Sequence, residues 1–340
     1  AAMEFWAPLP KGTAKEIVSN AKILEAKGYT GAIANQVYGP PWAALAVAAA
    51  NTSLRIESGI AMGFVRSPFE TACAAIELDE LSEGRFVLGL GTAPQTWNEK
   101  FYGEKFSPPI GRMRELIQVV RQVNDAAMTQ STTIAPFDGE HYSLSFESLV
   151  PTFSPKATRI PVWVAALRER LCVLAGETAD GLIGHPIWSR EWTFDHALKA
   201  LSKGARLADR EISDIHVQLW LTASIDTNRR QAALRARGNV AFYAGIPSYH
   251  SYFDDHGFGD IAKSLVEARR EKPVKDCLDL VPIEMAETFA LCGTADDVGQ
   301  AIQELGSKAD SMCVKPPTWA VDQSDMVMQR QLIDKILFEN

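Results

Sequence analysis

No apolar run in this chain of 340 residues approaches the ~20 residues that a membrane-spanning helix needs. The opening stretch "AAMEFWAPLP" also lacks the basic and apolar regions of a secretory signal, so a cytoplasmic protein is expected. Cysteine is scarce and scattered: Cys73, Cys172, Cys277, Cys292 and Cys313 form no CxxC pair. That spacing argues against a zinc ribbon or a disulfide framework and suits reduced, buried small hydrophobes. Positive charge is not in excess. With a net charge of -8 and no basic stripe, the electrostatic footprint of a nucleic-acid binder is missing. What is present is ordinary for a folded protein with a large core, 46% hydrophobic and 22% charged residues.

The hydrophobic pattern alternates between strand and helix. "EFWAPL" reads as a strand, and "TAKE" (Thr13 to Glu16) as a capping box opening a helix that Gly28 stops. "YTGAIAN", "LRIESGIAMGF" and "RFVLGLG" follow as strands, separated by helices from "PWAALAVAAAN" and from Pro68 to Leu81. "SPFE" (Ser67 to Glu70) is a second capping box, with Pro68 at the first helical position. After the helix "IGRMRELIQVVRQVNDAAM" the rhythm breaks at about 128–160, where Asp138-Gly139 marks a hairpin turn. It resumes with the strands "IPVWVAA", "DGLIGH", "IHVQLWLTAS" and "DSMCVKPP". A second insertion is expected at about 243–285, with an aromatic loop around 243–258. Eight strands alternating with helices predict an α/β fold, a (β/α)8 TIM barrel forming a single domain with insertions. A doubly wound open sheet is the alternative, but "PLPKGTAKE" after the first strand holds no GxGxxG turn.

In a barrel the chemistry sits at the carboxyl ends of the strands. These offer Asn35 and Gln36, Gly59 to Met62, Gly91 to Ala93, Ala165 and Ala166, Gly184 and His185, and Lys315. The set is poor in carboxylates and rich in small residues, which favours a backbone-lined mouth for a large flat ligand over a hydrolytic or metal site. His185 is the candidate general acid or substrate clamp. Gln36, Trp42, Trp188 and Trp192 are candidate walls of a substrate pocket. "HSYFDDH" (His250 to His256) fits no dependable metal-ligand spacing and reads as a lid or a surface contact, and no metal is expected. Arg85 is expected to be structural, paired with acids such as Asp79 or Glu80.

The block "LDELSEGRFVLGLGTA", with "RSPFETACAAIE" before it and "VWVAALRERLCVLAGETADGLIGHP" after it, resembles the luciferase-like flavin and deazaflavin oxidoreductases. "GHP" and the segment "FYAGIPSYHSYFDDHGFGD" are most similar to the group that uses coenzyme F420. The resemblance implies a luciferase-like barrel and an F420-dependent oxidoreductase transferring a hydride between the deazaflavin and a small organic substrate. An FMN-dependent monooxygenase and a non-catalytic, deazaflavin- or metabolite-binding barrel are the alternatives. It also implies a homodimer built on alanine-rich helices.

Residue by residue, relatives have a non-prolyl cis peptide at the position of Gly59-Ile60, where Ile60 would support and bow the ring. Gly91 and Thr92 would let the backbone approach the cofactor, with Asn35 and Gly184 alongside. Ala165, Ala166 and Leu167 would hold its phosphate at a helix start, and Arg168 and Arg170 would face an acidic tail. Several relatives carry an Asp-His pair or a histidine after strand two and a glutamate after the glycine-threonine of strand four. This chain has Asn35-Gln36 and Pro94 there.

Overall fold

The computed structural model describes residues 2–146 and 156–339. In chain order its elements begin with β1 (Glu4–Pro8), α1 (Ala14–Lys27), β2 (Gly31–Ala34), α2 (Trp42–Asn51), β3 (Arg55–Ser58) and β4 (Ala61–Met62). They continue with α3 (Pro68–Leu81), β5 (Phe86–Gly91), α4 (Gln95–Lys100), α5 (Pro109–Met128), β6 (Phe137–Asp138), β7 (Ser143–Leu144) and β8 (Val162–Ala166). Then come α6 (Glu169–Thr178), β9 (Gly181–Gly184), a π-helical turn (Trp192–Ala197), α7 (Leu198–Leu207), β10 (His216–Ile225) and α8 (Arg229–Ala244). The last are α9 (His250–Asp255), α10 (Gly259–Ala268), α11 (Ile283–Phe289), β11 (Leu291–Gly293), α12 (Ala295–Gly306), β12 (Ser311–Lys315) and α13 (Gln323–Phe338). The architecture is a (β/α)8 barrel, its parallel strands linked through helices.

The described residues fall into two compact units, 6–146, 156–183 and 200–216 in the first, and 2–5, 184–199 and 217–339 in the second. In the first, parallel pairing runs β1-β2-β3-β5-β8-β9, with β4 beside β5. The registers are Trp6 to Gly31, Gly31 to Arg55, Ile56 to Phe86 and Leu88 to Val162. Thr13 and Glu16 make the full reciprocal box, Glu16 N donating to Thr13 Oγ1 at 3.3 Å and Thr13 N to Glu16 Oε2 at 2.7 Å. Gly28 ends α1 at φ 100°, a left-handed conformation that favours glycine. The second box is only half made: Ser67 Oγ accepts from Glu70 N at 3.0 Å, while the Glu70 carboxylate turns to Arg66 at 3.4 Å. The hairpin is present as β6 and β7, with Gly139 N donating to Tyr142 O at 2.8 Å. Residues 147–155 of the expected insertion lie outside the described residues.

Arg85 is structural in a different way from the expected ion pair. Its Nε donates to the carbonyl of Ser82 at 2.7 Å, its Nη1 to those of Thr52 and Leu54, and its Nη2 to that of Ala49. The cation thus satisfies carbonyls at the ends of α2 and α3, groups that no intrahelical donor reaches. Asp79, buried, instead accepts from Thr158 N and Thr158 Oγ1, both at 2.7 Å.

In the second unit the parallel order is β11-β10-β12-β1, with Gln218 opposite Ser311, Thr222 opposite Lys315, and Glu4 opposite Ser311. The aromatic loop expected at 243–258 is helical: α8 runs to Ala244, a 3-10 turn covers Pro247–Tyr249, and α9 follows. Within "HSYFDDH", Tyr252 and Phe253 are fully buried in this unit's core, while Ser251, Asp254 and Asp255 are exposed. β11, three residues pairing with Ala223 to Ile225, is too short for its period to be read from sequence.

Candidate active site

The carboxyl ends of β2, β3, β5 and β8 bring the first unit's candidate residues to one edge of a parallel sheet. The Gly59-Ile60 peptide is cis. It is held by the end of β2: Gly59 N donates to Ala34 O at 2.9 Å, and Gln36 N to Ile60 O at 3.1 Å. The Gln36 side chain departs from its expected role as a pocket wall. It is buried, its Oε1 accepting from Met62 N and Arg66 Nη2, both at 3.0 Å, and its Nε2 facing Tyr102 Oη at 3.4 Å. Tyr102 in turn donates to Val37 O at 3.1 Å. Trp42 is likewise a support, with the Arg66 guanidinium 5.2 Å from its ring centroid and Phe86 edge-on at 6.4 Å. Burial lowers the Arg66 pKa from its ordinary value, and Glu70 offsets this in part. Asn35 is exposed and makes no hydrogen bond among the described residues.

The glycines of β5 have two distinct causes. A Cβ on Gly89 would overlap the backbone carbonyl oxygen of Ser58. The two strands are stitched there, Gly89 N donating to Ser58 Oγ and Ser58 Oγ to Gly89 O, both at 3.0 Å. A Cβ on Gly91 would overlap Cδ1 of Ile60. Gly91 therefore makes room for the Ile60 side chain, and any service to a ligand passes through that residue.

Beyond Gly91, Thr92 O accepts from Asn98 Nδ2 at 2.9 Å, and Ala93 takes a left-handed φ of 55°. The Thr92 hydroxyl has no partner among the described residues. After β8, the N-cap of α6 is Arg168, whose own side chain makes no capping bond. Ala165, Ala166 and Leu167 lead into this turn, and Arg170 on it is exposed.

The second unit supplies His185, at the end of β9. Its Nδ1 accepts from Ile187 N at 3.2 Å, which leaves the proton on Nε2, 3.3 Å from Tyr249 Oη. Tyr243 and Tyr249 lie parallel to each other, 6.2 Å between centroids, and both stand edge-on to the imidazole, at 4.8 and 5.4 Å. Burial, with a smaller contribution from the Lys315 charge, pushes the His185 pKa down to about 3. The same apolar cage pushes the Tyr249 hydroxyl up. His185 is thus a neutral hydrogen-bond donor and clamp, and the charged general acid is the half of the expectation that this geometry disfavours.

Gly184 answers to packing, since a Cβ there would lie 2.8 Å from the ring of Trp188. Trp188 lines a cavity of 230 Å³ with Pro186, Thr222, His256 and Phe289. Trp192 does not line it: it is buried, stacked on His196 at 4.4 Å and edge-on to Tyr252 at 5.0 Å. Ser189 and His256 form a hydrogen-bonded pair at 2.9 Å, with His256 Nδ1 donating to Tyr252 O at 2.8 Å. The Ser189 oxygen also accepts from Trp192 N at 3.0 Å, so the pair caps the turn that starts the π-helix. Among the described residues no three of His, Cys, Asp and Glu converge on a possible metal position.

Comparison with known proteins decides the family, because residues 3–309 match the one described as luciferase-like monooxygenase. The chain belongs to that family. An uncharacterized protein of Mycobacterium tuberculosis is 30% identical over 290 residues, covering 83% of this chain and 84% of its own length. The 5,10-methylenetetrahydromethanopterin reductase of Methanolobus tindarius is 27% identical over 304 residues, covering 87% and 88%. The solved structure of the coenzyme F420-dependent tetrahydromethanopterin reductase of Methanopyrus kandleri superposes with a TM-score of 0.79 at 23% identity, covering 98% of both chains.

For a luciferase-like protein, then, this chain separates a backbone-built group from a side-chain-built one. Tyr243 and Tyr249, which no sequence pattern ties to His185, lie on helical turns that bring them against its ring. Lys315 was visible as the last residue of the eighth strand. Only its surroundings give it a role.

Proposed function

We propose that this luciferase-like protein is an F420-dependent oxidoreductase that transfers a hydride between the deazaflavin and a small organic substrate. The observation that carries the reading is the chemistry of the two strand-end groups. One offers a Thr92 hydroxyl without a partner among the described residues, the amino end of α6 and the exposed charge of Arg170. The other offers a neutral imidazole bonded to Tyr249, whose own hydroxyl hydrogen has no acceptor among the described residues. Neither includes a carboxylate pair for hydrolysis, so a bound two-electron carrier has to bring the reactivity.

When bound, F420 supplies a carbon that accepts or donates a hydride. Ile60 would support the ring, Thr92 would donate a hydrogen bond to it, and residues 165–168 would hold the phosphate at the amino end of α6. Asn35 and Arg170 are exposed, and Arg170 would meet the acidic tail. His185 would act as a clamp rather than an acid: its Nε2–H is given to Tyr249 Oη and, staying neutral, it holds that tyrosine in place beside the substrate. The likeness to reductases that are named for methylenetetrahydromethanopterin, one described as F420-dependent, supports this cofactor over FMN. The family's description as monooxygenases supports reduced FMN with oxygen as the second reading. A homodimer accompanies the proposal: α2 carries no charged residue yet exposes Ala43 and Ala50.

The test is an equilibrium titration of the purified protein with F420 and, separately, FMN, followed by tryptophan fluorescence. Saturable binding of F420 at least tenfold tighter than FMN is expected. The reverse preference overturns the cofactor assignment.

A further inference from the structure

Three side chains of the second unit carry hydrogen-bond donors that no acceptor receives among the described residues. Lys315 ends β12 half-buried, its ammonium 5.7 Å from the ring centroid of Trp220, with no hydrogen bond or ion pair to an acid among the described residues. Lysines are rarely drawn out of water without a counter-charge, because an unpaired ammonium there loses its hydration for nothing. Directly opposite in register stands Thr222, whose residue is 2% exposed and whose Oγ1 is buried without a partner. Thr222 also lines the 230 Å³ cavity. The third is Tyr249: its oxygen receives the His185 Nε2–H, and its own hydroxyl hydrogen has no acceptor among the described residues. Register sets Lys315 beside Thr222, Tyr249 is bonded to His185, and the Lys315 charge acts on His185, which joins the two pairs.

Together these are an ammonium and two hydroxyls around aromatic walls, with no anion to receive them. We propose that Lys315, Thr222 and Tyr249 form an oxyanion subsite, so that the substrate is an organic acid carrying a carboxylate or a phosphate ester rather than a neutral alcohol or ketone. The inference rests on the oxidoreductase reading and adds the substrate class to it. Trp220 and Tyr243 supply flat apolar surface for the carbon skeleton, and the ammonium fixes its orientation. The subsite is a specificity device: it favours the charged member of any acid and ester pair, because the ester leaves Lys315 unpaired.

Two measurements test it. The first needs no cofactor: calorimetric titration of the protein with benzoate and with inorganic phosphate, repeated on Lys315→Met and Thr222→Val. Saturable binding of one probe is expected, weakened at least tenfold in Lys315→Met and less in Thr222→Val. The probe that binds identifies carboxylate or phosphate as the anion. If neither binds, or if Lys315→Met binds equally well, the subsite does not exist.

The second is a kinetic comparison with reduced F420 of 2-oxo acids against their methyl esters, and of dihydroxyacetone phosphate against dihydroxyacetone. The charged member should be preferred at least tenfold in kcat/KM. Lys315→Met should abolish that preference through KM while the Kd for F420 stays unchanged. Equal turnover of acid and ester overturns the substrate class and leaves the oxidoreductase reading intact. A loss of F420 affinity in Lys315→Met overturns the proposal by assigning the lysine to the cofactor. If F420 does not bind the parent protein, the oxidoreductase reading fails while the probe titrations still decide the subsite.

Discussion

The strand ends of the first unit and those of the second are built from different materials. Around Gly59, Gly89 and Ala166 the shape is set by backbone: a cis peptide, a close approach of two strands and the start of a helix. Around His185 and Lys315 it is set by side chains, with two tyrosines and a tryptophan enclosing an imidazole and an ammonium. A backbone-built surface recognises what is common to many ligands, such as a ring edge or a phosphate. A surface built from side chains can differ at each position and so can carry specificity. The two regions should therefore respond differently to substitution.

The sharpest contrast is between two glycines. Gly89→Ala drives a methyl into the Ser58 carbonyl, where neither strand can yield, and should cost about 3 kcal/mol, read as a fall in the urea midpoint. Gly184→Ala meets only the edge of the Trp188 ring, which can shift, and should cost about 1 kcal/mol. Equal costs would erase the distinction between backbone-built and side-chain-built surfaces.

Gly91→Ala should cost about 2 kcal/mol, and the second change Ile60→Ala should recover part of it, since the clash is with that side chain. Strict additivity in urea titrations would show that Gly91 serves something other than Ile60.

Acid should act through the second unit. The folded His185 has its pKa pushed down to about 3 from an ordinary 6.5, so between those values the unfolded chain takes a proton that the folded one refuses. Its contribution to stability is complete above about pH 6.5 and is lost progressively as the pH falls toward 3. His185→Gln should flatten that slope, leaving the part due to His256, whose pKa is also lowered by burial. Urea midpoints at a series of pH values between 7 and 4, taken for both proteins, would reveal it. The smallest effect expected is that of Tyr249→Phe, about 1 kcal/mol, because it leaves the buried His185 N–H without an acceptor. A silent substitution would mean that the tyrosine hydroxyl does not hold the ring.

Much of the fold was legible because it rests on local chemistry. The α3 bounds, Pro68–Leu81, coincide with those expected, since Ser67 and Pro68 announce the start and the "SEG" stretch ends the pattern. All eight main strands appear where apolar runs lie between turn signals. Residues 243–258 were misread because buried aromatics on short helical turns have no clean period. Arg85 was assigned to acids because the nearby sequence offers them, whereas the carbonyls it satisfies at 49, 52 and 54 are distant in sequence. Gln36 and Trp192, expected as pocket walls, are buried against protein neighbours, and residue type reveals hydrogen-bonding capacity and size but not which neighbour will use them.

The sequence by itself determined the alternation of strands and helices, the caps, the close-approach glycines and the family, because each is encoded by residues near one another or by a pattern spread over the whole chain. Only the tertiary structure decided what those residues touch: that Gly91 yields to Ile60, that the aromatics after α8 enclose His185, and that Lys315 faces Trp220 without an acid. The physical reason is that burial and pairing are properties of neighbours brought together by folding, and the same lysine or histidine takes a different chemical character in water than in an aromatic cage.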